Sequence, residues 1–88
     1  MPSIVAKIKA KEGKESELEA ILKDLAGKVH ANEPNTLAYI LHKDKKDPRT
    51  FVFYEKYKSD DDVKKHGSSE NFKEAGKKMA SCLDGKAE

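Results

Sequence analysis

Cysteine is almost absent from this chain: Cys82 stands alone, so no internal disulfide can form. A chain that manages without disulfides suits a reducing compartment, and a cytoplasmic location is expected. Long apolar runs are missing too. Lys7, Lys9 and Lys11 interrupt the opening segment before a secretory leader could build, and nothing approaches the ~20 apolar residues of a membrane span. A soluble protein with no membrane partner follows. Charge of one sign is equally scarce, since 18 basic and 16 acidic residues leave a net charge of +2 and are interspersed. The densest basic runs, Lys43-Asp44-Lys45-Lys46 and Lys77-Lys78, are short or broken by aspartate, and aromatic residues do not alternate with them. That pattern argues against nucleic acid as a partner.

Several chemical signatures are also lacking. There is no Gly-rich phosphate loop, no GxSxG elbow and no dinucleotide fingerprint, so no nucleotide cofactor is expected. His30, His42 and His66 fall on different elements, and Cys82 is far from any CxxC or HxxxH spacing, so no metal is expected.

What remains is one small domain spanning residues 1–88. A monomer of this size buries roughly 60–65% of the surface its unfolded chain exposes, which leaves a thin core that pairing with another chain would reinforce. Ile4, Ala6, Ile8 and Ala10 alternate with Val5, Lys7 and Lys9, the period of a half-buried strand ended by Gly13. The period then changes. Leu18, Ile21, Leu22, Leu25 and Val29 form one apolar stripe on a helix of about four turns. Asn32-Glu33-Pro34-Asn35 closes that helix, with asparagine suited to a left-handed turn position. Thr36–Lys43 and Thr50–Lys58 read as an antiparallel hairpin across the turn Asp44–Arg49. Ser59 and Asp62 form a capping-box pattern for a short helix over Asp60–Lys65. Ser68 or Ser69 opens a last helix carrying Phe72, Ala75, Gly76, Met79 and Leu83, which Gly85 stops.

The fold class is therefore α+β, a ferredoxin-like βαββα(β) with an antiparallel sheet whose fourth strand is short or missing. In the hairpin, Leu37, Tyr39, Leu41, Phe51, Phe53, Glu55 and Tyr57 share one face. Ala38, Ile40, His42, Val52, Tyr54 and Lys56 share the other. Both faces are largely apolar at their centres, and two helices can cover only one. A homodimer is the simplest cover for the second.

Glu55 is the oddest residue of the hairpin, because it shares its face with Phe51, Phe53 and Tyr57. Desolvation there would raise its pKa and make it a candidate base or an orienter of histidine. His66, beside Gly67 at a corner after the short helix, is the second acid–base candidate, since imidazole as a group ordinarily titrates near physiological pH. Tyr39, Asn32 and Phe72 are candidates to line a substrate pocket. Cys82 reads as a small core residue.

These residues carry a resemblance. Asn32 to Tyr39, Asp47-Pro48, Phe51-Val52-Phe53-Tyr54-Glu55-Lys56-Tyr57, His66 and Ser69-Glu70-Asn71-Phe72 resemble the antibiotic biosynthesis monooxygenase domain in order and spacing, over nearly the whole chain. The resemblance implies a dimeric α+β barrel, two ferredoxin-like protomers with sheets face to face. It also implies an oxidoreductase, a cofactor-independent monooxygenase taking a small aromatic quinol or phenol and oxygen. Glu55 and His66 would be its catalytic pair, with Asn32 and Tyr39 as positioning residues. Similar domains include acid–base isomerases of a phosphorylated metabolite, and a non-catalytic ligand-binding or stress-associated dimer is a further alternative. Haem-degrading relatives rely on tryptophan, which this chain lacks. Asn35 stands where the family usually has glycine.

Overall fold

A computed structural model describes residues 1–85. The elements run β1 (Ser3–Lys9), α1 (Glu15–Asn32), β2 (Thr36–Lys43), β3 (Thr50–Tyr57), α2 (Asp60–Ser68) and α3 (Glu70–Met79). The strands form one antiparallel sheet in the order β1-β3-β2, with β3 in the centre and all three helices on one face. No helix among the described residues is long and apolar enough to cross a membrane.

The chain leaves β1 through Gly13, whose φ of +86° is open to glycine at little cost. Its amide donates to Glu15 Oε1, which starts α1. Leu18, Leu22, Leu25 and Val29, one stripe of α1, are buried against the inward rows of the sheet, Ile8, Tyr39, Phe51 and Phe53. In the β2–β3 turn, Asp44 Oδ1 accepts from the Lys46 amide, and Asp47 accepts from the Arg49 amide and the Thr50 hydroxyl. Aspartate side chains thus supply the turn with the hydrogen bonds its backbone cannot make. Ser59 caps α2 by accepting from the Asp62 amide, and Ser69 caps α3 by accepting from the Phe72 amide.

Five expectations need correction. Helix α2 does not stop at Lys65 but runs through His66 and Gly67 to Ser68, because Ser69 both ends it and caps the next helix. His66 is accordingly a helical residue rather than a corner residue. Helix α3 ends at Met79, and Cys82 lies in the turn after it, where its amide donates to the Met79 carbonyl. Leu83 leaves the helical stripe altogether and forms an antiparallel bridge with Ala10, held by Lys11 N to Cys82 O and Asp84 N to Lys9 O. Leu37 is not inward: the β2–β3 register shifts between Thr36 and Ala38, and Leu37 is the exposed extra residue. Asn35 does not take a left-handed backbone, since no non-glycine residue has positive φ among those described; its side chain donates to Asp62 Oδ1 instead.

The Ala10–Leu83 bridge lies on the side of β1 where a ferredoxin-like fourth strand would pair. Residues 86–88, on which the rest of that strand would fall, lie outside the described residues. Arg49 reinforces this corner, its Nε donating to the Ala10 carbonyl and its Nη2 meeting Asp84 Oδ2 at 2.9 Å.

Leu18 is fully buried in the core. Leu18→Ala is expected to lower the unfolding free energy by about 2–5 kcal/mol, measured by urea denaturation, with the m-value unchanged.

Candidate active site

A cavity of about 280 Å³ lies between the sheet and the helices. Its floor is the inward row of the sheet, Ile4 and Ala6 from β1, Phe53, Glu55 and Tyr57 from β3, and Tyr39 from β2. Leucines of α1, Phe72 and Met79 of α3, and Val63, His66 and Gly67 of α2 close the other sides. Helices pack over β2 and β3 but leave the inner side of β1 thinly covered. Ile4, Ala6 and Val63 are only half-buried and Gly67 is exposed, so the rim of the cavity lies there. A Cβ placed on Gly67 would meet nothing within 4 Å.

His66 is the polar centre of this apolar space, with 5% of its surface exposed. Three aromatic rings surround it, Phe72 at a centroid distance of 4.8 Å, Tyr39 at 5.0 Å and Tyr57 at 5.7 Å. Its Nδ1 lies 3.0 Å from Glu33 Oε1 and 3.2 Å from Oε2. A carboxylate only accepts, so this contact assigns the proton to Nδ1 and leaves Nε2 of the neutral ring as a bare lone pair. Nε2 is buried and has no hydrogen-bond partner. Buried polar atoms without partners are rare and often mark a place where a ligand completes the pairing.

Glu55, 7% exposed, accepts a 2.5 Å hydrogen bond from the Tyr57 hydroxyl. Burial pushes its carboxyl above the usual range, while the Tyr57 hydrogen bond and a charge on His66 act in the opposite sense. Burial, with the neighbouring Glu55 charge, also pushes the Tyr39 and Tyr57 phenols upward, so both remain protonated at neutral pH. The other ionisable side chains that line the cavity are His66 and Glu55.

The structure gathers four of the five residues singled out from the sequence, His66, Glu55, Tyr39 and Phe72, around one cavity. Asn32 stands apart: it is exposed, its amide donates to the Lys28 carbonyl, and it lines a separate polar cleft. Two residues escaped the sequence reading. Tyr57 was seen only as an apolar member of its strand face. Glu33 was seen only as part of a helix-ending turn, and no spacing signal links it to a histidine 33 positions later. Among the described residues, no three of His, Cys, Asp and Glu come together as a metal site.

A family model described as antibiotic biosynthesis monooxygenase matches residues 1–78. A candidate antibiotic biosynthesis monooxygenase from Caulobacter crescentus is similar, with 37% identity and a TM-score of 0.93 over 98% of this chain and 81% of that one. A Pseudomonas aeruginosa protein shares 26% identity, with a TM-score of 0.88 over 98% of this chain and 87% of its own. A conserved Methanosarcina mazei protein also shares 26%, with a TM-score of 0.89 over 98% and 84%. No functionally curated protein matches.

The raised carboxyl of Glu55 has a consequence for stability. An acid whose pKa is higher folded than unfolded contributes stability that is whole below the unfolded value and is lost as pH rises through the folded one. Glu55→Gln keeps an acceptor for Tyr57 and removes the ionisation. The variant is expected to melt above the parent at neutral pH, and the difference should vanish below about pH 4. Calorimetry across that range checks it.

Proposed function

The chain belongs to the antibiotic biosynthesis monooxygenase family, and from that premise we propose that its cavity performs cofactor-independent monooxygenation of a small aromatic quinol or phenol. The observation that carries this reading is the bare, buried Nε2 of His66 beside Glu55 in an otherwise aromatic and aliphatic enclosure. A flat, electron-rich ring fits walls made by Tyr39, Phe53 and Phe72, and its hydroxyl would give Nε2 the partner it lacks.

Proton transfer from that hydroxyl to Nε2 yields an aryl oxide in a low-dielectric space, where its electrons are readily given up. The anion reduces oxygen, and the imidazolium returns its proton to the peroxide formed on the ring. Loss of water from the hydroperoxide then leaves the oxidised product. Glu55, held by Tyr57, is placed to hydrogen-bond a second oxygen of the ring and fix its orientation. An isomerase of a phosphorylated metabolite would need a basic pocket. Neither lysine nor arginine is among the residues that line this cavity.

The functional unit in this proposal is a homodimer acting in the cytoplasm. Tyr54 pairs with Val5 on one side and Ile40 on the other, making an apolar row across the uncovered face of all three strands. These residues are 37%, 66% and 46% exposed. The face of a second copy covers such a row, giving the sheet the second layer that helices give it on the inside. The lone thiol, Cys82, is buried and donates to Glu17, a state that a reducing compartment preserves.

Two measurements test the reading. Oxygen uptake by the purified protein on a panel of quinols and phenols, without added cofactor, is expected to fall roughly a hundredfold or more in His66→Ala. Glu55→Ala should fall less. No uptake on any substrate would return weight to an isomerase or a binding module. Sedimentation should show a dimer, and Ile40→Asp should shift it to monomer, since an aspartate there buries an unpaired charge at the interface.

A further inference from the structure

We propose that Glu33 is the positioning residue of His66, locking its proton on Nδ1 from a cleft on the far side of the wall that closes the cavity. This rests on the reading of His66 as the base. Four observations carry it. First, Glu33 is firmly held. It is the C-terminal cap of α1, its amide donates to the Val29 carbonyl, and Pro34 follows it. Second, its Oε1 also accepts from the Thr36 hydroxyl at 2.9 Å, so the carboxylate is aimed before His66 meets it. Third, the carboxylate bridges two environments. A polar cleft of about 330 Å³, lined by residues 32–36 with Asp62, Lys65 and Ser69, adjoins Glu33. The Glu33 side chain is 16% exposed, against 6% for His66. Fourth, α2 separates cleft from cavity, sending Asp62 and Lys65 to the one and Val63, His66 and Gly67 to the other.

The arrangement divides labour between the two ring nitrogens. The Nδ1 proton stays with Glu33 in both the neutral ring and the imidazolium, so only Nε2 exchanges a proton with substrate. A negative charge 3.0 Å from the ring favours the positive charge that forms there when Nε2 takes a proton. The Glu33 side chain keeps 16% of its surface exposed, with the cleft beside it. A carboxylate buried on both sides would bear the full desolvation cost of an ion.

The test has an arm that needs no substrate. Nitrogen-15 NMR of the ring should find His66 in the wild type as the Nδ1–H tautomer with a bare Nε2. Glu33→Ala should move it toward the Nε2–H form, and Glu33→Gln, which keeps the side-chain shape, should give a mixture. The second arm measures oxygen uptake on naphthohydroquinone. Glu33→Ala should lower kcat roughly ten- to a hundredfold with KM little changed. Millimolar formate, entering the vacated side of the cleft, should restore the rate and the tautomer together and saturably. An unchanged tautomer in Glu33→Ala, or a wild-type ring protonated on Nε2, would overturn the proposal even if uptake depends on His66. If no quinol or phenol of the panel gives uptake, the tautomer arm still decides the role of Glu33, while the monooxygenase reading fails alone.

Discussion

Everything in this molecule hangs on β3 being paired on both edges. A central strand has its backbone groups satisfied by neighbours, which frees its side chains to set the two faces of the sheet. On the inner face, Phe51 and Phe53 are core, and the next two inward positions are Glu55 and Tyr57. The row thus passes from core packing to the lining of the cavity within one strand, without change of register. Because β1 and β2 are both aligned on β3, the rim formed by Ile4 and the wall formed by Tyr39 are fixed relative to Glu55 by the same ladder, which places both opposite it. A functional group mounted on such a strand is held more firmly than one on a loop.

The opposite wall is built differently. His66 is placed by a short helix whose two ends are both serine-capped, and by the close approach of three aromatic rings. Its hydrogen bond to Glu33 joins α2 to the end of α1 across 33 positions of sequence. The site therefore depends on tertiary packing at His66 and on secondary structure at Glu55. Burial of Glu55 is unfavourable to its charge, and the sheet tolerates it because Tyr57 supplies a hydrogen bond from the same strand.

Much of this was legible in the order of residues. Period-two alternation located β1 and the hairpin, and the stripe from Leu18 to Val29 located α1, because each pattern is set by burial on one side. Glu55 could be singled out because a carboxylate breaks an apolar row. Other features were illegible for physical reasons. The bulge at Leu37 shifts the alternation by one residue and leaves no compositional mark. Gly67 reads as a helix breaker, yet lies inside α2, since its neighbours and the Ser69 cap outweigh its modest propensity cost. Leu83 continues the apolar stripe of α3, but backbone pairing to Ala10 and Lys9 draws it away. Glu33 was hidden because its hydrogen bond to His66 joins distant segments, and such contacts have no local spacing.

Gly67 gives the cavity rim a property of its own. An alanine at that position would firm α2 by about 0.5–1 kcal/mol, and nothing stands within 4 Å to obstruct a side chain there. The helix thus forgoes some stability while keeping its doorway wide. Breadth of entry and firmness of α2 are traded against each other at one residue, which has no side chain to join the contacts of His66 and Glu55. Chains of this architecture could diverge in the size of guest they admit while leaving the contacts of His66 and Glu55 intact.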